Sequence, residues 1–258
     1  MSPRPVALRV IASEAARAAG DVLLARFAAR DELVIRTKAT PTDMVSEADE
    51  AAEAEIRRVL GARRPDDAIL GEEGGRTGEG ELEWVVDPLD GTTNFLYGIP
   101  AWCVSVAVRD AAGGIAGVVY DPLRDEVFAA ERDGAATLNG TPLRRDDDPD
   151  LAVSLIGTGF GYDAAVRERQ AAVAAAVLPR ARDLRRVGAA ALDLAWVAAG
   201  RLDGYYERGV KAWDVEAGIL ICQQAGLDVI ALPAAGELPS GVLAAPARLA
   251  QELHTLVG

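Results

Sequence analysis

The chain has 258 residues, half of them hydrophobic, enough for one large domain or two small ones in close contact. A net charge of −13 argues against nucleic acid or an anionic membrane as the main partner, though not against a small anion, because a bound cation inverts the local field. No run approaches the roughly 20 apolar residues of a membrane span, and the arginines near the N-terminus precede no apolar core, so the expected location is cytoplasmic.

Only two cysteines occur, Cys103 and Cys222, both in apolar surroundings that predict buried thiols rather than a disulfide. The single histidine, His254, falls in the last turn of a predicted C-terminal helix. Histidine phosphotransfer, Ser-His-Asp triads and His-ligated zinc all need a better-placed imidazole. Catalysis by this chain has to run on carboxylates, hydroxyls and metal.

In chain order, apolar residues at helical spacing (Ala7, Ile11, Ala15, Ala18, Val22) predict a long first helix over 5–29. A polar loop with Lys38, Pro41 and Asp43 follows, placed to close over a neighbouring site or simply to connect. Ser46, with Asp49 three residues on, reads as a capping box opening a second helix to about residue 60. Residues 68–71 read as a short strand ending in Glu72-Glu73, and 74–80 as a flexible Gly-rich turn. Residues 84–86 form an apolar run leading into Asp87, Asp90, Gly91, Thr92, Thr93 and Asn94, with a helix expected from Thr92. Strands at 101–109, 115–120 and 126–130 predict an antiparallel meander. The first of these reads as core or as a subunit interface.

The acidic stretch 144–150 marks a boundary. Beyond it strands at 151–156, 184–187, 203–207 and 227–231 alternate with helices at 162–177, 189–200, 214–225 and 245–257. The alanine- and valine-rich helix 162–177 reads as core. The whole is a mixed α/β chain in two lobes: 1–146, richer in antiparallel strands and holding most candidate metal ligands, and 147–258, wound α/β and carrying Asp214 and the candidate substrate contacts.

Glu72, the pair Asp87 and Asp90, and Asp214 all sit where a strand gives way to a loop or helix. The carboxyl edge of a sheet is where α/β proteins gather ligands. Carboxylates converging there repel one another unless cations neutralise them, and Mg²⁺ is the usual cation beside a phosphate. Each acid alone has a local explanation, such as a helix cap for Asp214 or an exposed turn for Glu72-Glu73; all four together do not.

Gly-Glu72-Glu73-Gly, then Asp87-Pro-Leu-Asp90-Gly-Thr-Thr-Asn-Phe, then Trp213-Asp214-Val-Glu-Ala-Gly resemble the signatures of the inositol monophosphatase family. Val187-Gly-Ala-Ala-Ala and Tyr205-Tyr-Glu-Arg-Gly extend the resemblance over nearly the whole chain. It implies a layered αβαβα sandwich and a Mg²⁺-dependent, lithium-sensitive phosphomonoesterase, commonly a homodimer. It also implies two to three Mg²⁺ per site: Glu72, Asp87 and the Leu89 carbonyl match ligands of one, Asp87, Asp90 and Asp214 of a second, and Glu72 reaches waters of a third. Thr92 and Glu72 match the pair that activates water, and Asp49 the support of that threonine. The Gly91 and Thr92 N–H groups match a phosphate cradle, and Asp90, Ala190, Glu207 and Asp214 the substrate contacts.

The intact Thr92-Thr93-Asn94-Phe95 leans toward inositol 1-phosphate. Histidinol phosphate, fructose 1,6-bisphosphate and 3′-phosphoadenosine 5′-phosphate are the alternatives on the same scaffold. A catalytically silent phosphate- or metal-binding protein would lack the need for both Glu72 and Thr92, which are present. The aspartyl nucleophile motif of haloacid-dehalogenase phosphatases differs in spacing by one residue.

Overall fold

The structure, a computed structural model, describes residues 5–29, 35–37 and 44–258. Its elements are α1 (Pro5–Ala28), β1 (Ile35–Thr37), β2 (Met44–Ser46), α2 (Glu47–Arg63), β3 (Ala68–Gly71), β4 (Gly75–Thr77), β5 (Glu83–Asp90), α3 (Thr92–Leu96), β6 (Cys103–Asp110), β7 (Gly113–Asp121), β8 (Glu126–Glu131), β9 (Thr137–Leu138) and β10 (Thr141–Pro142). The second half contributes β11 (Leu155–Thr158), α4 (Ala164–Val177), β12 (Asp183–Arg185), α5 (Ala190–Ala198), β13 (Gly204–Arg208), α6 (Ala212–Gln224), β14 (Asp228–Leu232), β15 (Gly241–Ala245) and α7 (Ala247–Val257).

Five layers result. α1 and α2 pack together on one face of an eight-stranded sheet of order β10-β9-β8-β7-β6-β5-β3-β4. α5 and α6 cover its other face and also meet a five-stranded sheet of order β12-β11-β13-β15-β14, whose far side carries α4 and α7. This is the expected αβαβα sandwich. The large sheet is antiparallel except where β3 runs parallel to β5, and in the second sheet β12, β11 and β13 are parallel. Among the described residues no helix is long and apolar enough to cross a membrane.

Three apolar clusters fill the spaces between layers. Small alanines let α1 lie close on the first sheet: Ala12, Ala15, Ala16 and Ala19 are all fully buried. The 103–110 strand is core, with Val104, Val106 and Val108 buried in that cluster beside Trp102. Phe27, Phe95 and Trp102 stack with centroids 5.1–5.3 Å apart. Such pairs add about 0.5–1.5 kcal/mol each beyond area burial, and here they fasten the short helix α3 to α1.

Four local expectations change. The Gly-rich 74–80 segment contains an edge strand, β4, pairing with β3. The strand expected at 151–156 begins instead with a 3₁₀ turn, Leu151–Val153, and pairing starts at Leu155. Helix α4 is not core: of its residues only Gln170 and Val177 are buried. Alanine is so weakly hydrophobic that an Ala-rich helix serves equally on an outer layer. The strand β15, which joins β13 to β14, has no counterpart in the sequence reading. Lys38, Pro41 and Asp43 lie outside the described residues.

Candidate metal centre

Strand β5 begins Glu-Trp-Val-Val, an apolar run buried on both faces between β3 and β6. Side chains alternate along a strand, so Asp87 and Asp90, three apart, belong on opposite faces. The ladder prevents this. Asp87 pairs with Ser105 and Asp90 with Cys103, so three steps along β5 match two along β6. Pro88, with no N–H to donate, falls inside the irregularity. The extra residue returns Asp90 to the side of Asp87, and both line one cavity.

Glu72 enters from the parallel neighbour, just past the end of β3, where its N–H donates to the Val86 carbonyl at 3.3 Å. Asp214 arrives from the middle layer. It does not begin a helix at Val215; it is the third residue of α6, and its Oδ2 accepts the Lys211 N–H at 2.6 Å. Carboxylate oxygens of Glu72, Asp87 and Asp214 lie within 4.8 Å of one another. Asp90 closes the group with both oxygens turned to the start of α5, accepting the Ala190 N–H at 3.1 Å and the Ala191 N–H at 2.6 Å.

The electrostatics favour a cation. Burial, then the charges of Glu72, Asp90 and Asp214, hold the Asp87 carboxyl well above the usual carboxylate range. Burial and Asp214 push Asp90 up to about 8 against the pull of the Ala191 and Ala190 N–H groups. Without counter-charge these acids relieve their repulsion by taking protons. An all-oxygen donor set of carboxylates fits a hard divalent cation rather than zinc, whose sites favour nitrogen and sulfur.

Thr92 stands beside the acids at the first position of α3, after Gly91 at φ 95°. A Cβ at Gly91 would lie 3.0 Å from the Ala101 carbonyl oxygen, so both backbone and space require glycine. The Thr92 hydroxyl has acceptors in Asp49 Oδ1 at 2.8 Å and the Leu89 carbonyl at 3.1 Å. Asp49 is fixed in turn, because its Oδ2 accepts from the Ser46 N–H (2.8 Å) and hydroxyl (2.7 Å). The capping box of α2 is thus also the brace for Thr92. With five residues, α3 offers a phosphate its unpaired N–H groups rather than a summed dipole.

The cavity, about 330 Å³, is completed by residues of the second half, among them Arg186, Ala190, Glu207 and Lys211. The Glu207 carboxylate accepts the Tyr205 hydroxyl at 2.6 Å and occupies the space where a Cβ on Gly159 would fall. Burial raises its pKa, while Tyr205 and Arg186 pull the other way. The Ala190 N–H is engaged by Asp90, so what Ala190 presents to the cavity is its small side chain. Cys103 is buried under Asp90, and burial pushes its thiol up; Cys222 is likewise buried and pushed up to about 12, so both are chemically quiet.

Sequence reasoning missed Glu53. From α2 its carboxylate accepts the Glu73 and Gly74 N–H groups, each at 2.8 Å, and Arg57 Nε at 2.7 Å. A Cβ at Gly71 or Gly74 would collide with it at 2.5 Å. Glu53 therefore shapes the turn that presents Glu72. Glu53→Ala removes the acceptor of two backbone N–H groups, one at half-buried Glu73 and one at exposed Gly74, at a cost of about 1–2 kcal/mol, which for a chain of this size lowers Tm by roughly 2–8 °C. Turnover falls as well, because Glu72 loses its frame; thermal melts and rates on the variant check both.

The profile described as the inositol monophosphatase family matches residues 6–257. Inositol-1-monophosphatase of Mycobacterium bovis is 44% identical over 230 residues, covering 85% of this chain and 79% of that protein. The Nus factor SuhB of Pasteurella multocida is 44% identical over 219 residues, covering 84% and 82%. Among solved structures, the extragenic suppressor protein suhB of Bartonella henselae superposes with a TM-score of 0.91 at 34% identity, over 97% of this chain and 98% of that one. The inositol monophosphatase of Anabaena gives 0.82 at 36%, over 97% and 94%.

Proposed function

The chain belongs to the inositol monophosphatase family, and from that membership and the geometry at the sheet edge we propose that it is a Mg²⁺-dependent phosphomonoesterase acting on a small polyol monophosphate, with inositol 1-phosphate favoured. The observation that carries this reading is the convergence of Glu72, Asp87 and Asp214 within 4.8 Å beside a threonine braced on a buried aspartate.

In this reading Glu72 and Asp87 with the Leu89 carbonyl would hold one Mg²⁺, Asp87, Asp90 and Asp214 would hold a second, and Glu72 would contribute to a third. When bound, the cations would supply charge neutralisation at the phosphoryl group and lower the pKa of the attacking water. The chain does the rest. With its proton directed at Asp49, the Thr92 hydroxyl turns its lone pairs outward and accepts a hydrogen bond from the attacking water. A Glu72 carboxylate oxygen takes that water's proton. The new P–O bond forms in line with the breaking ester bond, and the departing alkoxide is protonated from solvent. The Gly91 and Thr92 N–H groups receive phosphate oxygens. Glu207 accepts from a polyol hydroxyl, and the small side chain of Ala190 leaves room for the ring. Residues 1–146 thus supply most of the metal ligands and 147–258 the alcohol side and Asp214. A cytoplasmic homodimer belongs to the same reading.

The test is phosphate release from inositol 1-phosphate, histidinol phosphate, fructose 1,6-bisphosphate and 3′-phosphoadenosine 5′-phosphate, each with Mg²⁺ and with EDTA. Mg²⁺-dependent turnover strongest on inositol 1-phosphate is expected. Dominance of another ester keeps the mechanism and changes the substrate; absence of turnover on all four overturns the enzymatic reading.

A further inference from the structure

Most of the described arginines in this acid-rich chain are tied to a carboxylate, for instance Arg57 to Glu53, Arg109 to Glu83, Arg185 to Asp183 and Arg201 to Glu126. The cavity wall departs from that pattern. Of its three cations, Arg208 is buried and donates to the carbonyls of Pro233, Pro239 and Val257. Arg186 and Lys211 are exposed, and among the described residues neither side chain has a hydrogen bond or an ion pair.

The position of Arg186 is nevertheless built. Asn94, in the helix that follows the Asp87–Asp90 strand, donates to the Val187 carbonyl at 2.9 Å and fixes the chain beside it. Gly188 turns at φ 95°, and a Cβ there would meet Arg186 Nη1 at 2.2 Å, so the guanidinium lies directly over the glycine. From there it acts electrostatically on both Glu207 and Asp193. Lys211 lines the same cavity, three residues before Asp214.

A chain of net charge −13 repels a phosphate dianion at long range. We propose that Arg186, assisted by Lys211, is an anion-capture and specificity-determining site that draws the phosphate monoester into the cavity and holds its phosphoryl oxygens in the ground state. Arginine suits this task, because its planar fork matches phosphate and its charge is permanent. The inference rests on the phosphomonoesterase reading for its substrate, but not for its binding test.

Arg186→Gln is expected to lower kcat/KM about tenfold with kcat changed less than about threefold, and to flatten the fall of kcat/KM with added salt. Arg186→Lys recovers part of the loss, and Arg185→Gln, which removes a neighbouring charge already paired with Asp183, changes neither parameter. Combining Arg186→Gln with Lys211→Gln deepens the loss. A kcat that falls in step with kcat/KM, or an unchanged salt slope, overturns the proposal. Independently, inorganic phosphate titrated into the Mg²⁺-loaded full chain, followed by tryptophan fluorescence or calorimetry, binds about tenfold more weakly to Arg186→Gln. Equal binding to both proteins also overturns the proposal. Arg186-dependent phosphate binding by a protein that cleaves no ester leaves the capture site standing and removes the proposed activity.

Discussion

Asp90→Asn is expected to lower kcat/KM by about three orders of magnitude while the protein still folds. The side chain is 8% exposed and belongs both to the acid cluster and to the start of α5. Asparagine keeps the shape and one acceptor for the Ala190 and Ala191 N–H groups, losing the other at a cost of about 1–2 kcal/mol. It also removes a charge from a group that repels itself, which offsets that cost. The two effects separate with pH. Asp87 and Asp90 have folded-state pKa values raised above their unfolded ones, by burial first, then by Glu72, Asp90 and Asp214 for Asp87 and by Asp214 for Asp90. Their contribution to stability is therefore complete below about pH 4 and lost as pH rises through about 8 for Asp90. In EDTA the Tm of the native chain falls between pH 5 and 9, and the fall is shallower in Asp90→Asn. Mg²⁺ raises Tm most at the alkaline end, where the acids are ionised and bind it best. Identical pH slopes in the two proteins would remove Asp90 from the repelling cluster.

Thr92→Val should reduce kcat by about 10²–10³-fold with little change in KM. Valine fills the same volume but offers no oxygen, so the attacking water loses its acceptor and Asp49 Oδ1 loses its donor. Asp49 is 1% exposed and still held by Ser46, so the fold survives at a cost of about 1–2 kcal/mol. Asp49→Asn keeps the size of the brace but can present its amide to Thr92, and should cost about tenfold in kcat. The double variant should be no worse than Thr92→Val alone, since both changes remove one chain of contacts. A loss expressed mainly in KM would assign Thr92 to binding instead.

These residues were legible because their signal is local. An apolar run meeting two acids, a glycine and two hydroxyls is unusual in one stretch of sequence, and Ser46 with Asp49 is a helix start that can be read three residues at a time. Alternation of strand and helix patterns indicated a mixed α/β chain, while the αβαβα layering was implied by the resemblance to the inositol monophosphatase family. Glu53 was hidden because, four residues from Arg57 in a helix, it reads as a surface ion pair; only the folded chain lays the 72–74 turn across it. Arg186 was hidden for a related reason, since what distinguishes it is its place on the cavity wall without a hydrogen bond or ion pair among the described residues. Helix α4 was misplaced because alanine and valine content says little about which layer a helix occupies. The short Gly-Val-Leu-Ala-Ala of β15 carries no alternation, being a strand enclosed between two others.

The central helical layer has a consequence in time. The last strand of the large sheet is complete at Pro142, but α5 and α6, which cover one of its faces, end only at Gln224. During synthesis the ribosome needs roughly ten seconds to add the intervening 80 or so residues. Through that interval Ala107, Val119, Phe128 and Ala130, all later enclosed against α5 and α6, wait on an uncovered sheet. Asp214 is carried by α6 itself, so the helix that covers this face of the sheet also brings in the last member of the acid cluster.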